Sequence, residues 1–91
     1  MRLTELDPRW CVQSRGEVRQ GMGITFDCPH CRTTRLAVFF ANPLDGGPPA
    51  EGRTFLWRRT GETFDTMTLV PSIDAGFLGH WHGHIQDGEV R

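Results

Sequence analysis

The chain has 91 residues, 37% hydrophobic and 23% charged, with a formal net charge of −1. That length holds one hydrophobic core and leaves no room for a second domain, and the balanced charge argues against a disordered tail or a strongly basic nucleic-acid binder. No apolar run approaches the roughly 18 residues of a membrane-spanning helix, and MRLTELDPRW places acids and proline where a signal peptide needs an apolar stretch, which predicts a cytoplasmic protein. All ten basic residues are arginine.

In chain order, residues 1 to 22 lack sustained periodicity and read as an irregular N-terminal segment with a short strand around 10 to 13. TELD at 4 to 7 fits a helix-capping pattern, but Pro8 follows at once and rules out a long helix. GITFD, 23 to 27, alternates Ile24 and Phe26 against Thr25 and Asp27, and RLAVFFA, 35 to 41, is a β-branched and aromatic run of strand length. NPLDGGPPAEG, 42 to 52, is read as a surface loop suited to contacting a partner. TFLWRR, 54 to 59, and TFDTMTLV, 63 to 70, form a hairpin around a turn at 60 to 62. PSIDAG, 71 to 76, breaks the chain before a strand GHWHGHI, 79 to 85, which returns through a DG turn to Glu89 and Val90. The expected fold is a mainly β, small antiparallel, zinc-ribbon-like module with little helix, one domain over residues 1–91.

The chemistry concentrates in two stretches. Cys28-Pro29-His30-Cys31 lies in the turn between two strands, where two thiolates reach one ion at about 2.3 Å and the tight turn aims backbone N–H groups at the sulfurs. A reducing compartment favours metal ligation over a disulfide, and a redox pair would need a helix after the first cysteine, which the pattern lacks. The second stretch is the histidine strand. There His80, His82 and His84 share one face while Trp81 and Ile85 share the other. The proposed ligand set for Zn2+ is Cys28, Cys31, His80 and His82, with His84 and Cys11 as substitutes; His30 points away. A copper or nickel site on His80, His82 and His84 alone would leave the cysteines unexplained.

The segments from Phe26 to Cys31, TLVPSID at 68 to 74 and GHWHGHIQDGEV at 79 to 90 resemble uncharacterised small zinc-binding proteins of phages and prophages. The resemblance implies zinc binding without an established reaction. In that pattern the C-terminal ligands are a cysteine and a histidine; the histidine corresponds to His82, and since position 79 is glycine, His80 takes the cysteine's place.

Four protein ligands would make the zinc structural. The leading reading is therefore a non-enzymatic, zinc-stabilised module, phage or prophage encoded, that binds a protein partner. A nucleic-acid-binding module is the alternative: Arg32 and Arg35 flank the knuckle, and Trp57 precedes Arg58 and Arg59, a mixture that stacks on bases and pairs with phosphates. A second alternative is a zinc hydrolase with an open coordination position and Asp74, Asp87 or Glu89 as base. The HExxH and zinc-deaminase signatures are absent.

Overall fold

The computed structural model describes residues 1–11, 21–50, 55–75 and 79–91, and it is mainly β. Among the described residues a 3-10 turn, Leu3–Leu6, precedes seven strands: β1 (Arg9–Trp10), β2 (Gly23–Asp27), β3 (Arg35–Phe39), β4 (Arg58–Thr60), β5 (Thr68–Asp74), β6 (His82–Gln86) and β7 (Glu89–Val90). They form two antiparallel sheets in the orders β1-β2-β3 and β4-β5-β6-β7. Alternation decides which face each strand buries. On β2, Ile24 and Phe26 go inside and Thr25 and Asp27 stay half-exposed; on β6, Gly83 and Ile85 go inside and His82, His84 and Gln86 face out.

The core draws on both sheets and on the N-terminus: Leu3, Leu6, Ile24, Phe26, Val38, Phe40, Met67, Leu69, Ile73, Ile85 and Val90 form one buried cluster, with Trp10, Leu36, Trp57, Phe64 and Trp81 against it. The first eleven residues are thus less irregular than their composition suggests. Glu5 accepts a hydrogen bond from the Arg2 N–H and closes a turn short enough to end before Pro8, and Leu3 and Leu6 are fully buried. Of the strand expected at 10 to 13, Trp10 lies in β1 and residues 12 and 13 are outside the described residues.

Phe40, just past β3, pairs in parallel with Trp57, just before β4, and so links the two sheets; a second bridge, Arg2 antiparallel with Glu89, ties the N-terminus to the outer edge of β7. Beside the first bridge the Asn42 side chain takes the place of a neighbouring strand: its amide accepts from the Arg59 N–H at 2.8 Å and donates to the Arg59 carbonyl at 2.7 Å. Backbone groups on that edge of β4 are thereby satisfied. The described part of the 42 to 52 loop, up to residue 50, packs more closely than a solvent loop, with Pro43 and Ala50 buried and the Leu44 N–H bonded to the Gly21 carbonyl at 3.0 Å.

One expected break is a strand. β5 continues through Pro71 to Asp74 in the middle of its sheet, and the pairing moves from Leu69 opposite Ile85 to Ile73 opposite Gly83. Four residues on β5 thus span two on β6. This bulge is what admits a proline, which cannot donate to a ladder, inside a central strand. β4 and β5 do pair as a hairpin, but around a longer connection than the turn expected at 60 to 62: Thr60 belongs to β4, and residues 61 to 67, including 63 to 67 of the expected second strand, lie between the strands. The DG return into β7 stands as expected from its turn chemistry. Among the described residues no helix is long and apolar enough to cross a membrane.

Candidate metal centre

The knuckle grows directly out of β2. The Cys28 N–H donates to the Thr34 carbonyl and the Arg32 N–H donates to the Cys28 carbonyl, both at 2.8 Å, so the chain reverses tightly before entering β3. Arg32 takes the left-handed conformation at φ 62°, the bend that lets Cys31 turn back towards Cys28. Cys28 is fully buried, Cys31 half-buried, and His30 between them is exposed.

His80 is delivered by the other sheet. Gly79, at φ 79°, turns the chain just ahead of β6, and the His80 N–H donates to the Ala75 carbonyl at 3.1 Å while the Ala75 N–H donates to the Trp81 carbonyl at 3.0 Å. Next to it, Trp81 meets Phe26 edge to face, with ring centroids 6.2 Å apart at 81°. Phe26 precedes Cys28 by two residues and Trp81 follows His80 by one. A single aromatic contact therefore registers the two halves of the site against each other.

The ligand atoms of Cys28, Cys31 and His80 all lie within 4.8 Å of one another, and the Cys31 Sγ is 3.6 Å from the His80 Nδ1. A sulfur and a nitrogen bound to one tetrahedral ion are expected roughly 3.5 Å apart from their bond lengths. The spacing therefore suits a shared ion as well as a hydrogen bond. The Cys31 thiol is lowered from 9.0 to about 5, first by the Thr33 side chain and backbone, then by the Thr34 side chain, all of which hydrogen-bond the charged sulfur. At neutral pH this donor is already a thiolate, the form that ligates. All three cysteines are free of disulfides.

Of the four residues expected to ligate, the fold brings together Cys28, Cys31 and His80. His82, the firmer of the two histidines on sequence grounds, sits exposed on β6 opposite Asp74 and is outside this group. His84 lies on the same exposed face, held through its backbone to Arg91. Cys11 bonds through its N–H to the Gly23 carbonyl, at the end of β2 away from Cys28, roughly 16 Å off by strand rise. Strand alternation made His80 and His82 equivalent. The Gly79 turn distinguishes them by setting His80 ahead of the strand and over the knuckle.

The residues considered for nucleic-acid contact are mostly engaged within the molecule. The Arg35 guanidinium binds Asp27 Oδ1 at 3.0 Å, the Asp7 carbonyl at 2.8 Å and Thr25 Oγ1 at 2.7 Å. Arg59 donates to the carbonyls of Gly61 and Asn42 and stacks over Phe40 at 5.6 Å, and Trp57 donates its indole N–H to the Ser72 carbonyl at 3.3 Å. Arg32 and Arg58 are exposed. Thr33 and Thr34, which set the charge on Cys31, carried no metal-ligand signal in the sequence; their position just after the second cysteine is the only cue. No protein-family model matches the chain, and neither the curated proteins nor the solved structures compared with it contain a match.

Proposed function

We propose that this chain is a small zinc-stabilised β module that acts by binding a protein partner, its zinc held by Cys28, Cys31 and His80. The observation that carries the proposal is the convergence of those three side chains from two different sheets onto one ion-sized space. Two thiolates and an imidazole are a donor set suited to zinc and poor for magnesium or calcium. The ion would supply cohesion, tying the β2–β3 turn to the entrance of β6 in a domain of modest core. The resemblance to small phage and prophage proteins is in keeping with such a module.

A hydrolase would use the coordination position that three ligands leave, but of the carboxylates considered as bases Glu89 is occupied by Arg2 at 3.2 Å and the N-terminal amine at 3.6 Å. The internal commitments of Arg35 and Arg59 likewise favour a protein partner over nucleic acid. Metal analysis of the purified protein tests the site: one zinc per chain is expected in the wild type and in His82→Ala, and loss in Cys28→Ser and His80→Ala. Zinc retained in both of the last two variants would remove the site. A gel shift that weakened steeply with salt would instead favour the nucleic-acid reading.

A further inference from the structure

We infer that peroxide opens the clasp: oxidation joins Cys28 to Cys31 in a disulfide, the ion is released, and His80 loses its tie to the β2–β3 turn. This rests on the metal-clasp reading above and adds the regulation of that same site. The geometry that carries it lies within the cysteine pair. Their sulfurs are within 4.8 Å of each other, and no disulfide joins them in the reduced chain. They stand three residues apart in a turn closed by the Arg32 N–H bonding to the Cys28 carbonyl at 2.8 Å. Such a turn is a single turn of helix, about 5.4 Å in pitch, and a disulfide bridges Cα atoms roughly 4.4–6.8 Å apart. Bond formation is thus a matter of side-chain rotation.

The two sulfurs differ in access, and the difference orders the steps. Cys31 is half-buried and Cys28 fully buried, so an oxidant from solution meets Cys31 first. The Cys31 thiolate attacks one oxygen of hydrogen peroxide, the O–O bond breaks, and the departing hydroxide takes a proton from solution, leaving a sulfenic acid. The Cys28 thiolate then attacks the Cys31 sulfur, the S–O bond breaks, and a second hydroxide leaves and is protonated. In sum two thiolates, one peroxide and two protons give one disulfide and two waters. Cys28, in the same turn, captures the sulfenic acid before a second peroxide carries it to the irreversible sulfinic acid.

Sulfurs spent on each other no longer ligate. Whatever group completes the coordination, the ion then loses its two thiolates and one imidazole remains of the converging three. The edge-to-face contact of Trp81 with Phe26 does not depend on the sulfurs, so the sheets stay packed while the entrance of β6 is untied. A strand, β3, follows the knuckle where a thiol oxidoreductase has a helix. The pair therefore acts on its own ion and not as a catalyst of disulfide exchange.

The test treats the full chain, reduced and zinc-loaded, with hydrogen peroxide, alongside its Cys11→Ser variant. Released zinc is read with a chromogenic chelator, the cysteines by peptide mass spectrometry, and the backbone by deuterium exchange. Expected are one zinc released per disulfide formed, a Cys28–Cys31 link within one chain, and the same response in Cys11→Ser. Exchange at residues 79 to 82 should quicken as it does when a chelator removes the zinc, and a phosphine with added zinc should restore the bound ion. Zinc retained in a large excess of peroxide would overturn the inference while leaving the metal clasp intact. So would release that accompanies sulfinic acid at Cys31, a disulfide to Cys11 or between chains, unchanged exchange at 79 to 82, or failure to take zinc back on reduction. A reduced chain that binds no zinc would sink the clasp and this inference together.

Discussion

Cys31 owes its charge to two neighbouring threonines. Hydrogen bonds stabilise the thiolate but not the thiol, so the proton leaves near pH 5 instead of near 9.0. In metal-free protein, the pH profile of iodoacetamide labelling at Cys31, resolved by peptide mass spectrometry, should have its midpoint near 5 and move upward in Thr33→Val. A wild-type midpoint near 9.0 would show that the threonines do not act on the sulfur. Proton competition for the metal is correspondingly weak at this ligand until the solution is acidic. Glu89 follows the same logic with a carboxylate. Its pKa is lowered by the hydrogen bond from Arg2 and then by the N-terminal charge. A depressed carboxyl contributes stability above its ordinary value of 4.5 and loses it as the pH falls through the folded value. Denaturant midpoints should therefore separate wild type from Glu89→Gln at pH 7, and the gap should narrow as the pH falls below 4.5; a gap that does not change with acidification would dismiss the ion pair as the cause. At this scale the thiolate pair was legible from the spacing of Cys28 and Cys31. The threonines were not, because a hydrogen bond to sulfur depends on how the turn closes.

Among the elements, the entrance to β6 shows how a ligand can sit just ahead of a strand while the histidine two residues on, within the strand, faces out. Gly83 lies beneath the Trp81 ring: a Cβ there would meet Trp81 side-chain carbon at 2.6 Å and the Arg91 carbonyl oxygen at 1.9 Å. Glycine is needed at that point for close approach. Gly83→Ala should cost about 1–3 kcal/mol in chemical denaturation, the usual range for forced overpacking, and should weaken metal binding because displacing Trp81 displaces His80. A variant with wild-type stability and metal affinity would mean that Trp81 does not position the ligand. β2 could be read to the residue, since alternation over GITFD leaves one face to bury. β5 could not. Proline punctuates most sequences, and its place inside a strand depends on the bulge that two partner strands allow.

For the whole molecule, two small sheets are joined by a parallel bridge at Phe40 and Trp57 and by the ligand group spanning the β2–β3 turn and the entrance of β6, while an antiparallel bridge ties Arg2 to Glu89 of β7. A ligand bound only by the folded state stabilises it by mass action, about 2.7 kcal/mol at a hundred times its dissociation constant. The thermal midpoint should rise with added zinc and fall with a chelator. It should lose that dependence in Cys28→Ser, and hydrogen exchange on chelation should quicken in the β2–β3 turn and at the start of β6. A midpoint indifferent to chelator in a zinc-containing sample would show that the ion does not hold the sheets.

By itself the sequence determined the β class, the positions of β2 and the C-terminal return, and the two stretches that carry metal-ligating chemistry, since each depends on local periodicity or short spacing. Only the tertiary structure decided that the N-terminal leucines belong to the core, that the chain runs on through Pro71, and that His80 meets the cysteines while His82 faces out. Those outcomes depend on contacts between segments far apart in the chain. Side chains two residues apart on a strand look alike in sequence, and only the packing of Trp81 on Phe26 and the turn at Gly79 separate them.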